Sequence, residues 1–155
     1  MIKDKANSSG LDVIVIDDDP GISQVLKELI ESFYAWGEVV AFSNADKALA
    51  YCMKRDVGVA IFVVDVFLRG TSGFLFLDTI EGKFPSSHED AIMISGKASE
   101  DVVDMCLASK VGYLLEKPIK PYALQLAVRA ITNKYLDFAK RLLRDPGIAR
   151  SIAGL

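Results

Sequence analysis

Two cysteines in 155 residues are too few for a disulfide framework. Cys52 and Cys106 both fall in apolar periodic patterns, which reads as two buried free thiols. Long apolar runs are missing as well. The longest, Val57 to Val64, is far too short to span a bilayer and is closed by Asp65. Met1 to Gly10 is polar and lacks the apolar stretch of a secretory signal. A cytoplasmic chain without membrane contact is the expectation. There is no excess of positive charge: 18 basic residues face 21 acidic ones, for a net charge of −3 and a pI near 5.2. Broad nucleic-acid or anionic-membrane binding is therefore not expected. The chain contains neither GxxxxGK[ST] nor GxGxxG, so nucleotide binding through those loops is excluded. It has no internal repeat, no low-complexity segment and no Pro/Gly/Ser-rich linker, which favours one domain.

What is present is a core-forming composition, with 51% hydrophobic and 25% charged residues. The stretch Ala60 to Gly73 organises the rest. An apolar run without alternation ends on one carboxylate, Asp65, and a loop holding Gly70 and Gly73 follows. Such a run reads as a strand buried on both faces. Similar short runs occur at Asp12–Ile16, Val39–Phe42, Ala91–Ile94 and Tyr113–Leu115, with the central one at Val59–Val64. Helical spacing separates them. It begins near Pro20, Ser43 or Asn44, Gly73 and Ser99, and a last helix starts near Pro121. Five alternations with short connections specify a parallel sheet covered by helices on both faces.

Four strands end on residues capable of chemistry: Asp17 and Asp18, then Asp65, then Ser95, then Lys117. In a parallel sheet all emerge at one edge, where α/β ligand sites gather. Each alone is an ordinary turn, cap or strand-exit residue. Together they suit phosphoryl transfer. Clustered carboxylates repel unless a cation is present, and Mg²⁺ favours such hard oxygen ligands. A metal and Lys117 would neutralise a transferring phosphoryl group, the Ser95 hydroxyl would donate to one of its oxygens, and Asp65 would be the nucleophile.

These motifs resemble the receiver domain of bacterial two-component response regulators. The resemblance covers roughly Leu11 to Lys134. It rests on Ile16-Asp17-Asp18-Asp19-Pro20, on Val64-Asp65 with Gly73 eight residues on, on Ile94-Ser95-Gly96, and on Glu116-Lys117-Pro118. It implies a flavodoxin-like five-stranded sheet of order 2-1-3-4-5, similar to the chemotaxis receivers. It also implies that Asp65 is phosphorylated by a sensor histidine kinase or a histidine phosphotransfer protein. Asp18 would ligate Mg²⁺ directly, Asp17 more through water, and the backbone carbonyl of Phe67 would be the third protein ligand beside Asp65. Ser95 would be the switch hydroxyl and Lys117 the phosphate-binding cation. The Lys117–Pro118 bond would be cis. The chain would undergo phosphorylation and autodephosphorylation without being a turnover enzyme.

The chain departs from the family pattern in several places. Arg69 stands where a proline is usual, and Leu114 where an aromatic is usual, with Tyr113 one residue earlier and so on the other strand face. Phe67 occupies a position where a polar side chain can place a hydrolytic water. Ser95 replaces the commoner threonine, and Lys97 puts a second cation nearby. His88, the only histidine, sits in a polar loop and is given no role. Leu124, Val128, Ile131, Tyr135, Phe138 and Leu142 form a heptad-like stripe, which runs past the expected receiver end until Arg144-Asp145-Pro146-Gly147. A homodimer helix and a helix folded back on its own domain both fit it. The expected division is a leader at 1–10, a receiver at 11–134, and a helix extension with tail at 135–155. Two rivals remain: a receiver-like binding module that works without phosphate, and a Mg²⁺-dependent aspartyl phosphohydrolase. The hydrolase usually needs a second acid where Phe67 stands.

Overall fold

The computed structural model describes residues 10–145 and Gly147. The expected leader, apart from Gly10, and the tail beyond Asp145, apart from Gly147, lie outside them. Five strands form one parallel sheet: β1 (Val13–Ile16), β2 (Val39–Phe42), β3 (Ile61–Asp65), β6 (Ala91–Ser95) and β7 (Tyr113–Glu116), in the order β2-β1-β3-β6-β7. Two further strands, β4 (Phe67–Leu68) and β5 (Thr71–Ser72), make a small antiparallel hairpin in the loop after β3. Leaving that hairpin aside, the order is the expected 2-1-3-4-5. The helices are α1 (Pro20–Glu31), α2 (Ala45–Lys54), α3 (Gly73–Ile80), α4 (Glu100–Ser109) and α5 (Pro121–Arg144).

β1, β3 and β6 are buried along their whole length. That is why their sequences lack alternation. Two cores lie on opposite faces of the sheet. Phe62, Val64 and Met93 pack against α2, α3 and α4 through Cys52, Leu77, Ile80 and Cys106. Val13, Val15, Val63 and Ile92 pack against α1 and α5 through Leu26, Ile30, Leu124, Val128 and Ile131. Both cysteines are free and buried, and burial pushes the Cys52 thiol up to about 12. Leu114 packs in the first core, while Tyr113 and Leu115 pack in the second. This puts Tyr113 on the α1/α5 face, as the period of two requires.

Four helices start on side-chain caps. Asn44 accepts from the Lys47 N–H, Ser72 from Leu75 and Ser99 from Val102. α1 is capped by Asp19, with Pro20 in the first turn.

The sheet edge away from Asp65 carries buried charge. Arg55 and Asp12 form an ion pair at 2.6 Å with both side chains wholly buried. Arg55 also donates to the Val59 carbonyl, and Asp12 accepts from the Glu38 N–H at 2.8 Å. Asp90, just before β6, is buried and is held by Lys134 and by the Tyr135 hydroxyl of α5. α5 is continuous for 24 residues. Past Leu136 its residues are exposed except for Leu142, including Phe138 and Leu143. No helix among the described residues is long and apolar enough to cross a membrane.

Candidate functional site

β3 ends on Asp65, and its neighbours in the sheet set what surrounds it. β1 pairs with β3 from Val13↔Ile61 to Ile16↔Val64, so Asp17 and Asp18 leave the sheet beside Asp65. β6 pairs Ile94 with Asp65, which puts Ser95 one residue beyond. Lys117 follows the end of β7, and its N–H donates to the Ser95 carbonyl at 2.8 Å. The Lys117–Pro118 bond is cis.

Asp17, Asp18, Asp19, Pro20, Ile22, Asp65, Arg69 and Lys117 line one open cavity of about 450 Å³. Lys117 Nζ bridges two of its carboxylates, at 2.8 Å from Asp65 Oδ2 and 2.9 Å from Asp17 Oδ2. The contact to Asp65 is an aligned hydrogen bond. The Asp17 oxygen is buried, and Lys117 is its ion partner. Asp65 Oδ1 accepts from the Phe67 N–H at 3.1 Å. One oxygen of Asp18 accepts from the Arg69 N–H.

Burial pushes the Asp17 carboxyl above the usual carboxylate range, and Lys117 offsets only part of this. Burial alone would lower the Lys117 ammonium. The bonds to Asp65 and Asp17 outweigh it, and the net shift is upward. The cation is thereby held charged between the carboxylates.

Glycine matters at two places here. Gly70 has φ +72° at the hairpin turn, a conformation costly for other residues. A Cβ on Gly73 would stand 2.4 Å from the Asp65 carbonyl oxygen and 2.7 Å from Met93 Cε. The start of α3 is therefore pressed against the backbone that presents Asp65.

Among the residues expected at the site, Asp17, Asp18, Asp65 and Lys117 come together. Ser95 does not turn its hydroxyl to Asp65. Its Oγ donates to the Lys97 carbonyl at 2.6 Å and accepts from the Lys97 N–H at 3.2 Å. Phe67 contributes its N–H, and its ring is 66% exposed. His88 lies elsewhere, with Nε2 2.7 Å from Asp78 Oδ1.

Three roles were not read from the sequence. Asp19 does not face the site as a free acid. Its Oδ1 accepts from the Gly21 and Ile22 N–H groups as the α1 cap, and the Asp-Pro dipeptide at a helix start was the available signal. Glu116 Oε2 accepts from the Ala98 N–H, tying the loop after Ser95 to the end of β7. The Arg69 N–H on Asp18 is a backbone contact that carries no side-chain signal.

The donor set fits a hard divalent cation. Its carboxylates are hard oxygen donors, and one of their oxygens, on Asp17, is buried with Lys117 as its ion partner. Asp17, Asp18 and Asp65, with the Phe67 carbonyl, would hold such an ion.

Comparison with known proteins identifies the family and the fold. The profile of the "Response regulator receiver domain" family matches residues 13–129. The two-component response regulator PprB of Pseudomonas aeruginosa is 23% identical over 126 residues, covering 78% of this chain and 43% of that protein. The chain thus spans less than half the length of this curated relative. A response regulator receiver domain protein from Clostridium thermocellum superposes with TM-score 0.66 at 27% identity, covering 85% of this chain and 98% of its own. A CheY-like receiver protein from Methanospirillum hungatei superposes with TM-score 0.69 at 21% identity, covering 83% and 99%.

Proposed function

Because this chain belongs to the response regulator receiver domain family, we propose that it is a phosphoacceptor: Asp65 takes a phosphoryl group from a phosphohistidine donor. The donor would be a sensor histidine kinase or a histidine phosphotransfer protein, met in the cytoplasm. The observation that carries this reading is the Lys117 ammonium placed between Asp65 and Asp17 in one cavity. A carboxylate oxygen of Asp65 attacks phosphorus in line. The P–O bond forms as the P–N bond breaks, and its electron pair leaves with the donor imidazole. Lys117 is poised to pass from Asp65 to the arriving phosphoryl oxygens. When bound, Mg²⁺ supplies positive charge that stabilises those oxygens. Asp17, Asp18, Asp65 and the Phe67 carbonyl would hold it.

Ser95 then becomes the moving part. Its hydroxyl is satisfied by Lys97 before phosphorylation, and a phosphoryl oxygen would compete for it. Drawing it inward would shift the loop that Glu116 ties to β7. Leu114 offers no aromatic side chain to report the shift, which is the best support for a module that switches without phosphate. The hydrolase reading is weaker, because Phe67 supplies no second acid and its ring is exposed. We therefore read the chain as a switch and not as a turnover enzyme.

Incubation with acetyl phosphate and Mg²⁺ tests all three. A stoichiometric, slowly decaying mass increase mapped to Asp65 supports the phosphoacceptor. No adduct supports the binding module, and continuous phosphate release supports the hydrolase. A second expectation concerns lifetime. Phe67 gives an attacking water no hydrogen-bond partner, so Phe67→Asn should speed decay of the adduct by about tenfold. That is below a full general-base effect of roughly 10²–10⁴. An unchanged decay rate rejects the role of the ring.

The domain division is also part of this reading. The receiver body corresponds to 11–134, preceded by a leader at 1–10 and followed by a helix extension and tail at 135–155, with Tyr135 still bound to Asp90. The stripe beyond it, Phe138 and Leu142, is read as a pairing segment for a second copy. Truncation should follow Leu136, so that the Asp90 contacts survive. Light scattering should then show a monomer where the full chain is a dimer. The same oligomeric state for both rejects the pairing segment.

A further inference from the structure

We propose that Arg69 is a second cation for the phosphoryl group on Asp65, complementing Lys117. This rests on the phosphoacceptor reading and names a further residue of that site. Arg69 is not on a loose loop. It sits at the β4–β5 turn, between the paired residues Leu68 and Thr71 and before Gly70 in its left-handed conformation. Its N–H is bonded to an Asp18 oxygen, which fixes its backbone to the rim of the acidic cavity. Arg69 lines that cavity together with Asp65 and Lys117.

Charge explains why a second cation is useful. Lys117 is already engaged by Asp65 and Asp17. The Arg69 guanidinium is exposed, and among the described residues no carboxylate lies within ion-pair distance of it. The Asp19 charge is met by the positive end of α1, which it caps. The remaining three carboxylates and one ammonium leave the cavity two charges negative, which one divalent cation cancels. An acyl phosphate of about −2 in place of the single Asp65 charge leaves one negative charge over. The guanidinium supplies the missing positive charge. Its planar fork matches two phosphoryl oxygens, which an ammonium cannot do.

A competing use exists. Arg69 also lines a neighbouring cavity of about 280 Å³ with Asp18, Ser43, Asn44 and Asp46. There it would only balance acidic side chains. The two uses predict different binding behaviour. Beryllofluoride is a tetrahedral mimic of a carboxylate-bound phosphoryl group, and it can be titrated calorimetrically into the full chain at saturating Mg²⁺. Mg²⁺ is titrated separately. Arg69→Ala should weaken beryllofluoride binding about tenfold, and Arg69→Lys should restore part of it. The same Arg69→Ala change should leave Mg²⁺ binding unchanged or make it up to about threefold tighter, since a repelling charge is gone.

Weaker beryllofluoride binding without weaker Mg²⁺ binding is the signature of a phosphoryl-directed cation. Beryllofluoride affinity that ignores residue 69 overturns the proposal. So does a parallel loss of Mg²⁺ and beryllofluoride affinity, which would mean that Arg69 acts only by holding the turn. A wild-type chain that takes up no beryllofluoride overturns the phosphoacceptor reading, and this proposal with it. Uptake by wild type that is indifferent to Arg69 overturns this proposal alone.

Discussion

Asp65→Asn is expected to abolish the phosphoryl adduct altogether. An amide has no anionic oxygen to attack phosphorus, yet it has nearly the shape of the carboxylate. Its oxygen can still accept from the Phe67 N–H. Lys117 keeps Asp17 as an ion partner at 2.9 Å. One of three clustered carboxylates is neutralised, which removes repulsion as well as an attraction. The variant should therefore fold, with stability changed by no more than about 1 kcal/mol. Mass spectrometry after acetyl phosphate treatment and a urea melt check the two halves separately. A wild-type adduct level on the folded variant would move the acceptor to another carboxylate, Asp17 or Asp18.

Arg55→Ala should produce the largest loss of stability of any change considered. The guanidinium and the Asp12 carboxylate are both fully buried, 2.6 Å apart. Burial alone would lower the Arg55 pKa, and the hydrogen bonds it donates to Asp12 and Tyr51 outweigh it. Removing the cation leaves the buried Asp12 charge without its counter-ion, strips the Val59 carbonyl of a donor and opens a cavity. Breaking a buried pair from one side costs roughly 3–5 kcal/mol. A domain of this size has about 5–15 kcal/mol in total. Urea denaturation at neutral pH should show most of the stability gone, while any molecules still folded keep the Asp65 site intact at the other sheet edge. A loss under about 1 kcal/mol would show that the pair barely outweighs its own desolvation.

The sheet was legible in the sequence for a physical reason. β1, β3 and β6 are buried on both faces, so their apolar runs lack alternation, and their shortness between polar stops marks them as strands and not helices. The strand ends were legible because polar residues stop such strings abruptly. The β4–β5 hairpin was not, since two-residue strands have no period. Nor were the Asp12–Arg55 and Asp90–Lys134 pairs, which join residues 43 and 44 apart in sequence. A lone charge in an apolar run was their only trace, at Asp12. The inward or outward turn of the Ser95 hydroxyl was also beyond reach. It depends on the Lys97 backbone, whose path the sequence does not encode locally.

The clasp of Asp90 on Lys134 and Tyr135 gives α5 the mechanics of a lever. The helix runs from Pro121, four residues past Lys117, to Arg144, and it is pinned near Tyr135. At about 1.5 Å per residue the inboard arm is about 21 Å and the outboard arm about 14 Å. The inboard arm is packed in the core through Leu124, Val128 and Ile131, so the turns past the clasp are the stretch that can swing.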